Sequence, residues 1–222
     1  MRINTTPIAR FAGLLFLFVL PVWAFSQPRF KAAVVAGLTA SQIDGDLSAG
    51  YHKLGVQGGL RGIARLQPRQ DLSIEFLYSQ RGCKSTLLKD QFDPYRFSHT
   101  LNYVEVPVLW NYKDWLIEGE DDADDFYRVA FNIGLSYARL ISASSKGEGS
   151  GIGAVLEPEI LLKKSDVSFL VGANFMASQH LGFTFRYVRS FGRMYNPSNF
   201  DPAPYPYTLN GHCLYFQTFY LF

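Results

Sequence analysis

The sequence is poor in the residues that staple a fold, hold a metal or cross a bilayer as a helix. It has two cysteines in 222 residues, Cys83 and Cys213, with no CxxC pair and no His/Cys cluster at ligand spacing. That excludes a disulfide-dense scaffold and a structural zinc site, and no cofactor is implied. The glycines at 147, 149, 151 and 153 fit neither a P-loop nor a dinucleotide fingerprint. No stretch of the chain offers the roughly 20 uninterrupted apolar residues a transmembrane helix needs. The formal charge is only +2, without a clustered basic face, so nothing recommends a nucleic-acid partner.

What is present begins with an export signal. Arg2 and Arg10 precede the short apolar run Phe11 to Ala24, which Pro21 interrupts, and the small residues Ala24 and Ser26 place cleavage before Gln27. Residues 1–26 are therefore read as a signal peptide and 27–222 as one domain. Removing the signal takes two arginines and no acid, so the mature charge is zero.

The mature part alternates. Period-two runs cover 30 to 39, 54 to 66, 72 to 82, 101 to 112, 127 to 139, 166 to 177, 181 to 192 and 212 to 222, lengths that suit tilted membrane strands of about 9 to 11 residues. One face is apolar throughout, as in Leu72, Ile74, Phe76, Tyr78 or Leu181, Phe183, Phe185, Tyr187, and is uncharged until Arg139 and Arg189. The other carries Lys31, Arg61, Arg65, Glu75, Arg81, Glu105, Asp166, Arg186 and Gln217.

Alternation alone fits a soluble barrel, apolar face inward, as well as a membrane barrel, apolar face outward. The ends favour the second. Trp110, Tyr112, Tyr127, Tyr137, Tyr187 and Tyr220 lie near strand termini on the apolar face, where membrane barrels carry aromatic girdles. Short and long connections also alternate, and the last strand ends on Phe222, an aromatic terminus of the kind the barrel assembly machinery recognises. The expected fold is all-β: an eight-stranded antiparallel transmembrane β-barrel, an up-and-down meander in the outer membrane with both termini periplasmic. Two features resist: Pro107 falls inside the fourth strand, where it removes a ladder hydrogen bond, and Ala154 to Lys164 is apolar enough to be a further strand, read here as part of a hairpin above the membrane.

An eight-stranded barrel has an interior just wide enough to be filled by side chains. Arg61, Arg65, Glu75, Glu105 and Arg186 share the inward parity at similar depth, and buried charges need partners, so they are read as a structural ion-pair network. Cys83 and Cys213 fall on the same parity at the outer end and permit one disulfide without demanding it. His99 and His212, near the outer rim, are the candidates for a lipid-modifying enzyme, but neither has the nucleophile spacing such chemistry uses. The acidic run 118 to 125 lacks the alternating ligands and central glycine of a calcium loop and reads as a solvated turn.

Several segments together resemble the PorT-like outer-membrane β-barrel proteins of Bacteroidetes: Gly37-Leu-Thr-Ala-Ser-Gln-Ile-Asp-Gly-Asp46, Gly50-Tyr-His-Lys-Leu-Gly55, Glu75-Phe-Leu-Tyr-Ser-Gln-Arg-Gly82, Leu101-Asn-Tyr-Val-Glu-Val-Pro-Val-Leu109 and Gly134-Leu-Ser-Tyr-Ala-Arg-Leu140. The resemblance covers nearly all of the mature chain, and Pro107 falls where the family motif also has a proline. It implies an eight-stranded outer-membrane barrel and says little about activity, although the founding member is associated with type IX secretion. The expected function is a non-enzymatic envelope or interaction protein acting through its long outer loops or the 113 to 126 turn, with membrane lipid and a secretion or envelope protein as partners. The competing readings are a lipid-modifying outer-membrane enzyme and a soluble periplasmic ligand-binding barrel, which would line an apolar cavity with the residues placed here against lipid.

Overall fold

A computed structural model describes residues 30–45, 50–84, 96–118, 125–148, 162–201, 203 and 206–222. The expected signal peptide with its cleavage site, most of the acidic run, the glycines at 149, 151 and 153, and most of the apolar 154 to 164 segment lie outside them.

Eight strands follow one another: β1 (Phe30–Asp44), β2 (Lys53–Gln67), β3 (Gln70–Lys84), β4 (Arg96–Ile117), β5 (Phe126–Glu148), β6 (Ser165–Met176), β7 (Leu181–Ser190) and β8 (Asn210–Leu221). Each pairs antiparallel with the next, and β8 pairs back onto β1 with Ala36 opposite Thr218. This is a closed meander, so no strand is left with an unpaired side along the shared wall. Closure is the condition for a sheet to sit in hydrocarbon, because every backbone N–H and C=O must find a partner within the protein.

Alternation now has a direction. Phe76 is 62% exposed and Phe185 47%, whereas Glu75 is 1% and Arg186 0% exposed. The wall is thus apolar outside and charged inside, the reverse of a soluble barrel. The side chains that would line the cavity of a soluble ligand carrier, Leu38, Leu60, Phe76, Ile133, Phe185 and Phe216, all face outward. Two aromatic belts bound this surface. Trp110, Tyr112, His180, Tyr220 and Phe222 ring the end that carries both termini, and Phe169, Tyr187, Phe191, His212 and Tyr51 ring the long-loop end. His212 and Tyr220 stand eight residues apart on β8, about 20 Å of height at a strand tilt of about 40°, of the order of a membrane barrel's apolar band.

Strand lengths exceed the expected spans where the wall leaves that band. β4 and β5 have 22 and 23 residues, about twice what a crossing needs. They pair from Ile117 opposite Phe126 to Arg96 opposite Glu148, so the long turn expected at 113 to 126 is in large part a continuation of the hairpin. Pro107 sits in this central strand all the same. The β3–β4 pairing lapses between Ile74↔Val108 and Leu77↔Glu105 and resumes in the same register, as expected where proline offers no N–H.

Candidate functional site

The enclosed interior is stacked in layers, and its charges fall into two groups. The first centres on Glu75 of β3. Arg61 of β2 donates through Nε to Glu75 Oε1 at 2.6 Å, and Arg186 of β7 approaches from the other side with Nη1 and Nη2 each 2.8 Å from a carboxylate oxygen. Register places Glu75 directly opposite Arg61. Arg186 reaches across because Gly172, its partner on β6, has no side chain: a Cβ there would meet the Arg186 stem at 2.6 Å. Arg186 Nε donates to Asn132 and Arg61 Nη2 to Thr184 and Gln217, and Arg61 lies 4.4 Å over the Phe219 ring.

The second group centres on Arg81 of β3, which pairs with Glu105 at 2.7 Å and Asp166 at 3.4 Å. Glu105 also accepts from Ser136 and Tyr215, and Asp166 from Ser168 and Ser190. A chain of hydrogen bonds joins the groups: Gln217 Nε2 donates to Gln57, Gln57 to Ser79, Ser79 to Tyr215 and Tyr215 to Glu105. One group holds two arginines and one acid, the other one arginine and two acids, so each offsets the formal imbalance of the other. With every charged member buried, such a network depends on mutual partners, and Arg81 Nε has no hydrogen-bond partner among the described residues.

Apolar and amide side chains close the network at its two ends. Toward the termini, Ala33, Val35, Leu77, Phe219 and Leu221 form one cluster, beside a buried polar set in which Asn111 donates to Ser73, Asn132 to Asn174 and Asn174 to Asn111. At the long-loop end, Tyr195 and Leu209 from the β7–β8 connection and Leu162 from the approach to β6 pack on Ile43, Leu101, Tyr103 and Leu140. Backbone hydrogen bonds from Leu140 to Lys164, Lys163 to Met194, Met194 to Leu209 and Leu209 to Tyr195 tie these pieces together. The space left between this cap and Arg81 is a cavity of about 10 Å³, room for about one water.

Several expected site residues land elsewhere. Arg65 shares Arg61's parity but is exposed at the end of β2, where the register with β3 shifts. Four residues, about 13 Å of strand, carry it past the enclosed section, so it is not part of the network. Glu105 is enclosed but belongs to the Arg81 group and not to that of Glu75. Arg81 and Asp166 complete the network; their inward parity is visible in the sequence, but which depth each side chain reaches depends on the stagger between strands. No disulfide joins Cys83 to Cys213. Both are buried, but β1 and β2 intervene between their strands, and at about 4.8 Å per strand that exceeds the Cα separation a disulfide tolerates.

The two rim histidines do not meet. His99 is buried on β4 opposite Cys83, inside the wall. His212 is on β8 outside it, 3.4 Å from Asp44 and edge-on to the Tyr51 ring at 5.1 Å. Burial pushes the Tyr51 phenol above its ordinary value. Among the described residues no group of three metal-ligating side chains is assembled.

At the terminal end the β4–β5 hairpin passes beyond β3, whose pairing with β4 stops at Tyr112. Trp115 there adopts a left-handed backbone, φ 57°, and is 58% exposed, with the Arg128 guanidinium 5.5 Å from its ring.

The chain is similar to several solved structures. Ail of Yersinia pestis aligns over 86% of this chain and 98% of its own, at 9% identity and a TM-score of 0.45. Neisserial surface protein A aligns over 86% and 96%, at 10% identity and 0.42, and OprG of Pseudomonas aeruginosa over 87% and 94%, at 10% and 0.38. A comparison with curated protein sequences gives no match. The family model described as outer membrane protein beta-barrel domain matches residues 25–196, and with eight strands closed around a charged interior and an apolar band outside, the chain belongs to that family and is an outer-membrane β-barrel protein.

Proposed function

We propose that this protein is a non-conducting, non-enzymatic barrel that serves as a rigid anchor, presenting its loop end at the cell surface and the β4–β5 hairpin in the periplasm to other envelope components. The observation that carries this reading is the filled interior: two linked charge groups, an apolar cap at the long-loop end and a mixed apolar and amide layer at the other leave no wide path, so the parts available for contact are the ends. Exposed Trp115 and Leu116 on a hairpin projecting past the wall suit a protein contact better than a solvated turn does. The reading takes residues 1–26 as an export signal and Phe222 as an assembly signal, and with them both termini as periplasmic. The separation of His99 from His212 supports a role without catalysis.

Planar-bilayer recordings of the purified protein test the reading. The expected result is no steady unitary current; resolved, long-lived channels would show that the seals open and would replace the anchor with a pore. The resemblance of the five quoted segments to PorT-like proteins supports the narrower proposal of a part in type IX secretion. Deleting the gene is then expected to retain secreted cargo in the periplasm, and a deletion strain that secretes normally rejects that narrower role while leaving the anchor standing.

A further inference from the structure

Five basic residues of the long-loop end lie along one arc of the rim, apart from Lys53, Lys84 and Lys146 on β2, β3 and β5. Arg139 lies near the point where β5 leaves β6, Lys163 and Lys164 immediately precede β6, Arg189 is the penultimate residue of β7, and Arg193 follows it; all five are exposed. The segments that carry them are held together. Lys163 donates its backbone N–H to Met194, its Nζ lies 4.0 Å from where a Cβ on Gly192 would stand, and Arg139 Nη1 donates to Ser165 at 2.8 Å. Among the described residues none of the five forms an ion pair, because the nearby acids are engaged elsewhere: Asp166 turns inward to Arg81, Ser168 and Ser190, and Asp44 faces His212.

Directly beneath this arc runs the aromatic belt. Phe191 stands 6.1 Å from Phe169, Phe169 is 6.2 Å from Tyr187, Tyr187 is 6.4 Å from His212, and His212 is 5.1 Å from Tyr51. A row of cations with no ion-pair partner among the described residues, just above a girdle, lies at headgroup height, where anionic groups of the leaflet supply counter-charge. At the terminal end Lys113 pairs with Asp71 and approaches Tyr127, Arg128 covers Trp115 and Arg69 reaches the Tyr112 and Tyr127 hydroxyls, while Lys31 and Arg65 are exposed and Asp114, Glu118 and Asp125 are close in sequence to the hairpin cations.

We propose that Arg139, Lys163, Lys164, Arg189 and Arg193 bind the phosphates of a bis-phosphorylated glycolipid of the outer leaflet. The spread of the arc selects two phosphates over one. Arg139 is opposite Ser165 and Arg189 opposite Phe169, which separates them by four residues of β6 and two strand spacings, roughly 16 Å. A single phosphate reaches one end of such an arc, whereas a headgroup phosphorylated at both ends reaches both. The belt below takes the acyl chains against Phe169, Tyr187 and Phe191. The assignment rests on the proposed orientation, with the long loops at the cell surface.

The test uses the full processed protein in detergent micelles, with native mass spectrometry counting bound lipid. The probes are bis-phosphorylated lipid A, the same lipid dephosphorylated, and phosphatidylglycerol. The variants are R139Q/K163Q/K164Q/R189Q/R193Q and, at the opposite end, K31Q/R65Q/R69Q, each confirmed as folded by its heat-dependent gel mobility. Bis-phosphorylated lipid A is expected to bind the parent and the terminal-end variant equally, and the five-site variant at least about tenfold more weakly. Equal binding to all three proteins, undiminished binding of the dephosphorylated lipid, equal binding of phosphatidylglycerol, or displacement by excess inorganic phosphate would each overturn it. Orientation is read separately, by labelling Lys163→Cys on intact cells with a membrane-impermeant maleimide, the native cysteines being buried. Labelling without permeabilisation supports the assignment; labelling only after permeabilisation refutes the orientation, and the outer-leaflet assignment with it, even where binding in micelles persists.

Discussion

Glu75→Gln is expected to cost about 3–5 kcal/mol of barrel stability, the loss typical of removing one partner from a buried ion pair. Glu75 is the single carboxylate between Arg61 and Arg186, which approach it at 2.6 and 2.8 Å. Without its charge, two guanidinium groups stay buried side by side without a carboxylate between them. Urea titration of the protein in detergent, followed by the heat-dependent shift between folded and unfolded gel bands, measures the loss. The double variant Glu75→Gln/Arg186→Met returns this group to its original net charge and should recover part of the stability; Glu75→Asp keeps the charge and should cost less. A single-variant loss below about 1 kcal/mol, the scale of a solvated pair, would mean that water reaches this group and that the interior is not sealed.

Phe185→Arg should cost about 2–4 kcal/mol and Phe191→Arg no more than about 1, the depth dependence seen for cations on the lipid face of membrane barrels. Phe185 lies halfway along β7, 47% exposed and 5.0 Å from Phe216, whereas Phe191 follows the end of that strand. In water an exposed arginine at either position would be nearly neutral, so the difference between the two variants reports on the solvent outside the wall. Refolding into lipid vesicles under a urea gradient provides the measurement. Two equally small penalties would mean that hydrocarbon does not cover this face.

The strands were legible because period two is a local property: Phe30, Ala32 and Val34 share a face whatever the rest of the chain does. Their ends were less so. Outside the membrane band hydrogen bonding continues without a lipid-facing apolar pattern, so β4 runs on through Trp115 and β5 through the serines at 142, 144 and 145. Pro107 argued for an edge and sits in the middle, since a closed wall tolerates a missing donor where the neighbouring pairs keep their register.

For the site, parity identified every charged member of the network as inward, and depth sorted them. Arg65 and Arg61 have the same parity, but only Arg61 lies deep enough to be enclosed. Glu105 finds Arg81 and not the Glu75 group, and Cys83 and Cys213 share a parity and an end while β1 and β2 keep them apart. The apolar cap left little local signal: Leu162 belongs to the apolar 154 to 164 segment read as part of a hairpin, and Tyr195 and Leu209 come from a connection with no periodicity to read.

By itself the amino-acid order determined which side chains share a face, how many strands there are and that one face is charged, because alternation needs nothing beyond neighbouring residues. Closure of β8 on β1, the stagger that sets each charge at its depth, and the loops folded over the mouth were decided only in three dimensions. Each depends on contacts between residues far apart in the chain, Glu75 with Arg186 above all, and no local pattern encodes the depth at which such partners meet.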